Sequence, residues 1–200
     1  MRDPVNISGV ASSGPDFMGF IFYPKSSRHV GFDLSREELS MIPYSVKKVG
    51  VFVDEMPETM LTVATKLDLY AVQLHGSESP GLCHLMQSRG LTVIKAFALN
   101  ESFDFTVLSK YQGNCDYFLF DTKSNLPGGS GQKFNWQLLD NYRLDTPFFL
   151  SGGIGMDDLN AIREFNHPLL FGIDINSSFE ISPALKDVDK VKKFILEVRS

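Results

Sequence analysis

Seven short runs of β-branched and aromatic residues punctuate the chain, centred near Phe20, Val51, Val72, Ile94, Leu119, Phe149 and Phe171. Most are continuous rather than alternating, as in Gly50-Val51-Phe52-Val53 and Tyr117-Phe118-Leu119-Phe120. That is the pattern of strands covered on both faces in a parallel sheet. Segments with helical spacing lie between them. One starts at Ser35, where Ser35-Arg36-Glu37-Glu38 reads as a capping box. Pro57 to Leu67 sets Met60, Leu61, Ala64 and Leu67 on one face, and another helix follows Pro80 and stops at Gly90. Further helices fit Phe103 to Tyr111, Asn135 to Tyr142, Asp157 to Phe165 and Asp187 to Val198. The chain also opens on a helix, with Asp3 as its cap, Pro4 in the first position and Val5 to Ala11 continuing it.

The strand centres recur every 20 to 30 residues or so, about one βα unit with short loops, and no linker-like stretch interrupts them. The reading is one α/β domain over residues 1–200. Both an open doubly wound sheet and a (β/α)₈ TIM barrel give such an alternation. The dinucleotide fingerprint G-x-G-x-x-G is absent, and regular spacing continued through a seventh strand favours the barrel. Eight helices against seven strands leave the barrel one strand short at its front. An N-terminally incomplete barrel is therefore predicted, from a start at an internal methionine or a truncation.

Composition narrows the class. With 43% apolar and 22% charged residues the chain supports a sizeable core, and a formal charge of −5 with no basic run argues against nucleic acid as a partner. No apolar run approaches the roughly 20 residues of a membrane span, and no secretory signal follows Met1. Cys83 and Cys115 sit in unrelated contexts, which points to a reducing cytoplasm rather than a disulfide framework.

A barrel builds its active site from the loops after its strands. Here these are Tyr23-Pro24-Lys25-Ser26-Ser27-Arg28-His29, then His75-Gly76-Ser77, then Asp121-Thr122 with the Gly-rich Gly128-Gly129-Ser130-Gly131 beyond. The last two are Ser151-Gly152-Gly153-Ile154-Gly155 and Asp174-Ile175-Asn176-Ser177-Ser178. With a strand missing in front, these two follow barrel strands seven and eight, where small residues let backbone amides approach a phosphate. Asp121 ends the most apolar strand, so desolvation there would suit a general acid; an N-cap or loop role fits it equally. Arg28 reads either as a bidentate carboxylate holder or as a solvated loop arginine. His75 reads first as a structural hydrogen-bonding group, Gly128 to Gly131 as a mobile lid or a plain loop, and the two cysteines as packing residues.

Together these motifs resemble the phosphoribosylanthranilate isomerases over nearly the whole chain. The stretches that carry the resemblance are Gly19 to Arg28, Val72-Gln73-Leu74-His75-Gly76, Phe120-Asp121 with the Gly128 loop, Leu150 to Ile154 and Gly172 to Ser178. The resemblance implies an Amadori-type aldose-to-ketose rearrangement of N-(5-phosphoribosyl)anthranilate in tryptophan biosynthesis, without cofactor or metal. It makes Asp121 the general acid that protonates the ribose ring oxygen. Arg28 would hold the anthranilate carboxylate, and Gly152, Gly153, Asn176, Ser177 and Ser178 the phosphate, with His75 and Asp174 also lining the substrate. Two departures follow. The family's base is a cysteine in a Lys-x-Cys-Gly setting on the first strand, immediately before the segment matching Met1-Arg2-Asp3-Pro4, so this chain is expected to be a poor enzyme or none as written. Asn176 and Ser178 also stand where the family usually has Ser and Gly. The other readings are a second phosphate-binding barrel such as indole-glycerol-phosphate synthase, for which Lys95 has no matching glutamate, and a phosphate-sugar-binding barrel without turnover.

Overall fold

A computed structural model describes residues 1–32, 34–122 and 134–200; the Gly128 to Gly131 loop lies outside the described residues. The seven runs form β1 (Phe17–Ile21), β2 (Lys47–Phe52), β3 (Ala71–Leu74), β4 (Thr92–Leu99), β5 (Tyr117–Thr122), β6 (Phe148–Leu150) and β7 (Leu170–Ile173). They make one parallel sheet in sequence order, with β1 and β7 at its edges. This is the α/β barrel-type architecture, open between those edges among the described residues.

Alternation along each strand splits the core in two. Met18, Phe20, Phe52, Val72, Leu74, Val93, Phe118, Phe120, Phe148 and Leu150 pack outward under the helices. Val49, Ala71, Ile94, Ala96, Leu119 and Phe149 fill the concave lumen, with Phe17 and Tyr117 beside them. Both faces are therefore apolar, which is why the strands read as continuous runs.

The helices α1 (Pro4–Ser12), α2 (Pro57–Leu67), α3 (Pro80–Ser88), α4 (Leu159–Glu164) and α5 (Val188–Val198) fall where the sequence sets them, except that α4 is preceded by a 3₁₀ turn over Met156–Asp158. Asp3 caps α1 by accepting from the Asn6 amide, and Ser79 caps α3 by accepting from Leu82. On α2 the buried face is Met60, Val63, Ala64 and Leu67, with Val63 in the place assigned to Leu61. Three expected helices differ. The Ser35 capping box forms, with the Glu38 carboxylate accepting from Ser35 N at 2.8 Å and Ser35 Oγ from Glu38 N at 3.2 Å. Yet only turns follow, because Pro43 ends the segment before an α-helix can propagate. Phe105–Lys110 and Trp136–Asn141 are 3₁₀ helices. In each an Asx side chain, Asp104 or Asn135, accepts from the amide two residues on and starts the winding tightly.

An element the sequence did not disclose follows β7: a hairpin of β8 (Glu180–Ser182) and β9 (Leu185–Lys186). Its turn uses Ala184 at φ +70°, a position where Gly or Asn would have signalled a turn. Asn6 of α1 clasps it, accepting from Lys186 N at 2.9 Å and donating to Lys186 O at 2.8 Å. No helix among the described residues is long and apolar enough to cross a membrane.

Candidate active site

The lumen-facing register carries polar side chains to the carboxyl ends of the strands. Gln73 and His75 follow Ala71 on that face, Asp121 follows Leu119, and Ser151 follows Phe149. Asp174 reaches it through a bulge. Leu170 pairs with Phe148 but Gly172, not Phe171, pairs with Phe149, so Phe171 is the extra residue. Phe171 already turns into the lumen, its ring 4.4 Å from that of Tyr117 and 5.2 Å from that of Phe149. Strict alternation from there would turn Asp174 toward the helices; the extra residue restores it to the lumen, where it accepts from Ser151 Oγ at 2.9 Å.

His75 Nε2 stands 3.4 Å from Asp121 Oδ2, and its Nδ1 is 2.8 Å from the Gln73 amide nitrogen. With that amide donating, Nδ1 accepts and Nε2 carries the proton toward Asp121. The structural hydrogen bond expected of His75 is thus present, and it orients the ring at an acid. Asp121, expected to be desolvated, keeps its side chain 31% exposed. Burial instead pushes the Asp174 carboxyl above the usual carboxylate range, with the Asp121 charge adding to the rise and the Ser151 hydroxyl opposing it. A carboxyl raised by folding favours the folded state while protonated, and that contribution is lost as pH rises from the unfolded value through the raised one. Asp174→Asn is therefore expected to flatten the decline in denaturation midpoint with rising pH, measured by urea unfolding from pH 4 to 8; an unchanged slope would remove Asp174 as its source.

Gly152 must be glycine twice over. Its φ is +95°, and a Cβ there would lie 2.7 Å from Thr122 N and 3.0 Å from Asp121 Oδ1. The glycine loop is thereby seated against the end of β5. It also meets the Asn176 to Ser178 loop, since a Cβ on Gly155 would lie 3.6 Å from Ser178 Cβ. The two small-residue loops thus adjoin, as the sequence suggests.

Arg28 is neither solvated nor remote. It is buried, and its Nε and Nη2 fork donates to both oxygens of Glu180 at 2.6 to 3.0 Å. Burial alone would raise the Glu180 carboxyl, but the Arg28 bonds and the Lys186 ammonium, 3.1 Å away, outweigh it and hold the carboxyl low. Glu180 and Lys186 belong to the undisclosed hairpin; their only signal in the sequence is two opposite charges flanking Ser182-Pro183-Ala184. Lys95 lies on the opposite, helix-facing side of the sheet, buried against Glu78 at 3.1 Å, so it does not reach the lumen. Cys83 and Cys115 are buried too. Burial pushes the Cys83 thiol up to about 11 and raises Cys115 further, so both are packing residues rather than bases.

Residues 2–197 match the sequence profile of the family described as N-(5'phosphoribosyl)anthranilate (PRA) isomerase. An N-(5'-phosphoribosyl)anthranilate isomerase of Parabacteroides distasonis is 47% identical over 199 residues, covering 99% of this chain and 90% of that protein. The crystal structure of phosphoribosyl anthranilate isomerase from Thermotoga maritima superposes with a TM-score of 0.85 at 35% identity, covering 100% of this chain and 95% of that one. A structure of a phosphoribosyl anthranilate isomerase in complex with reduced 1-(o-carboxyphenylamino)-1-deoxyribulose 5-phosphate superposes with a TM-score of 0.83 at 32% identity, with the same coverage.

Proposed function

Because the chain belongs to the N-(5'-phosphoribosyl)anthranilate isomerase family, we propose that its lumen rim is the active site of that isomerisation. The reaction converts N-(5-phosphoribosyl)anthranilate to 1-(2-carboxyphenylamino)-1-deoxyribulose 5-phosphate in tryptophan biosynthesis. The observation that carries the assignment is the convergence of Asp121, His75 and Asp174 on one rim beside two adjoining small-residue loops.

Asp121 donates its proton to the ribose ring oxygen as the bond from that oxygen to C1 breaks, and the nitrogen lone pair forms the Schiff base. A base then removes the proton from C2, the electrons move to the nitrogen to give the enolamine, and tautomerisation leaves the ketone at C2. His75, held by Gln73, supports the charge that Asp121 acquires. The Gly152, Gly153, Asn176, Ser177 and Ser178 amides suit the phosphate, and Arg28 the anthranilate carboxylate. Glu180 engages the Nε and Nη2 edge of the Arg28 guanidinium, fixing its plane. Anchors at both ends hold the reacting carbons beneath the acid. Residues 1–200 act here as one barrel-type domain, and two buried, unpaired thiols support a cytoplasmic setting.

The base for C2 is not a thiol of this chain. The test follows decay of substrate fluorescence with the chain as it stands and with a version carrying an added β-strand ending in Cys-Gly ahead of Met1. Turnover by the extended version alone supports a cysteine base; turnover by both assigns the base within residues 1–200. Binding of a product analogue without turnover by either version gives a phosphate-sugar-binding protein, and neither binding nor turnover overturns the reading.

A further inference from the structure

The side chains that surround the two anion-binding ends of the site are not independent. Lys186 spends its three ammonium protons on Glu180 Oε1 at 3.1 Å, the Asn176 carbonyl at 2.9 Å and Asn176 Oδ1 at 2.5 Å. Glu180 in turn binds the Arg28 fork, and its Oε1 also accepts from Ala184 N at 3.1 Å. The result is a continuous line of charge-assisted bonds, Arg28 to Glu180 to Lys186 to Asn176, running from the carboxylate end to the phosphate end. Its middle is shielded, with the side chains of Lys186 and Glu180 only 11% and 5% exposed. Its root is fixed, because Asn6 holds both the N–H and the C=O of Lys186.

We propose that Lys186 is a positioning residue that couples the two ends, so that a sugar phosphate on the Asn176 to Ser178 loop and an aryl carboxylate at Arg28 each tighten the other. The inference rests on the isomerase reading of the site. With the backbone of residue 186 clamped, a shift of Asn176 that accommodates phosphate is passed through the ammonium to the Glu180 carboxylate and the guanidinium it orients. Whichever ligand binds first orders the line, and the second finds it already ordered. Lys190 makes the contrast. It donates to the Ser178 carbonyl at 2.6 Å, steadying the same loop through a bond outside the line from Asn176 to Arg28.

The experiment titrates the chain with ribose 5-phosphate and with anthranilate by calorimetry, each alone and at saturating concentration of the other. In the parent each probe should tighten the other by about fivefold or more, by the same factor in both directions. In Lys186→Met that factor should fall below about twofold while each probe still binds. Asn176→Ser, which removes only the Oδ1 bond, should lower it in the same direction and serves if Lys186→Met fails to fold. A residue acting only on stability would move both affinities and leave their ratio alone, so an unchanged factor in both variants overturns the proposal. So does a parent that binds both probes without coupling. A parent that binds neither probe overturns the reading of the site itself.

Discussion

Asp121→Asn is expected to slow turnover about 10²- to 10⁴-fold, the range for loss of a positioned general acid. The measurement is substrate fluorescence decay in whichever version of the chain, as it stands or extended, turns over. The substituted amide keeps the shape and can still accept from the Thr122 amide, which now donates to Asp121 Oδ1 at 2.7 Å. What it loses is the transferable proton and the charge that faces His75. Since the side chain is partly exposed and no core residue moves, the melting temperature should shift by no more than a few degrees. Binding of a product analogue should persist, which separates loss of chemistry from loss of the site. Undiminished turnover would remove Asp121 from the mechanism.

The largest effect on stability is expected at the other end of the fold's electrostatics, in the buried Lys95–Glu78 pair. Both side chains are essentially inaccessible, at 2% and 1% exposure. Lys95 Nζ lies within 3.1 Å of the Leu74, Gly76 and Ala96 carbonyls as well as Glu78. Glu78 accepts in turn from the Asp54 and Gly76 amides, so the pair ties the ends of β2 and β3 to the middle of β4. Lys95→Met removes one charge and strands the other, which should cost about 3 to 5 kcal/mol in urea denaturation. Lys95→Met with Glu78→Gln should recover part of that loss, because the stranded charge is gone. A single-variant loss below about 1 kcal/mol would show that the pair is not held as described.

Burial on both faces made the strands legible, because a parallel sheet between helices and an apolar lumen needs no polar alternation. All seven were readable for that reason. Asp3, Ser79 and Asp187 cap three of the helices that formed as read, α2 and α4 formed without a side-chain cap, and Asp104 and Asn135 wind the chain into 3₁₀ turns instead. Local spacing does not separate those two outcomes, since the same residue types start both. In the site, Asp121, His75 and the two small-residue loops could be read because each lies at or just after the carboxyl end of a strand. Glu180 and Lys186 could not. They lie on a hairpin whose turn bears Ala184, and Glu180 shares the Arg28 guanidinium only across 152 residues of sequence. The facing of Asp174 was equally hidden, since a bulge at Phe171 is set by pairing with β6 and leaves no mark on the strand itself.

The clasp between Asn6 and Lys186 joins positions 180 residues apart. Contacts of such long sequence separation form late, after the intervening loop entropy has been overcome. Lys186 is synthesised after all seven strands of the sheet, so the line from Arg28 to Asn176 cannot be complete until the chain has passed beyond β7. The line that joins the two proposed anion-binding ends is thus made only after the barrel wall that carries it.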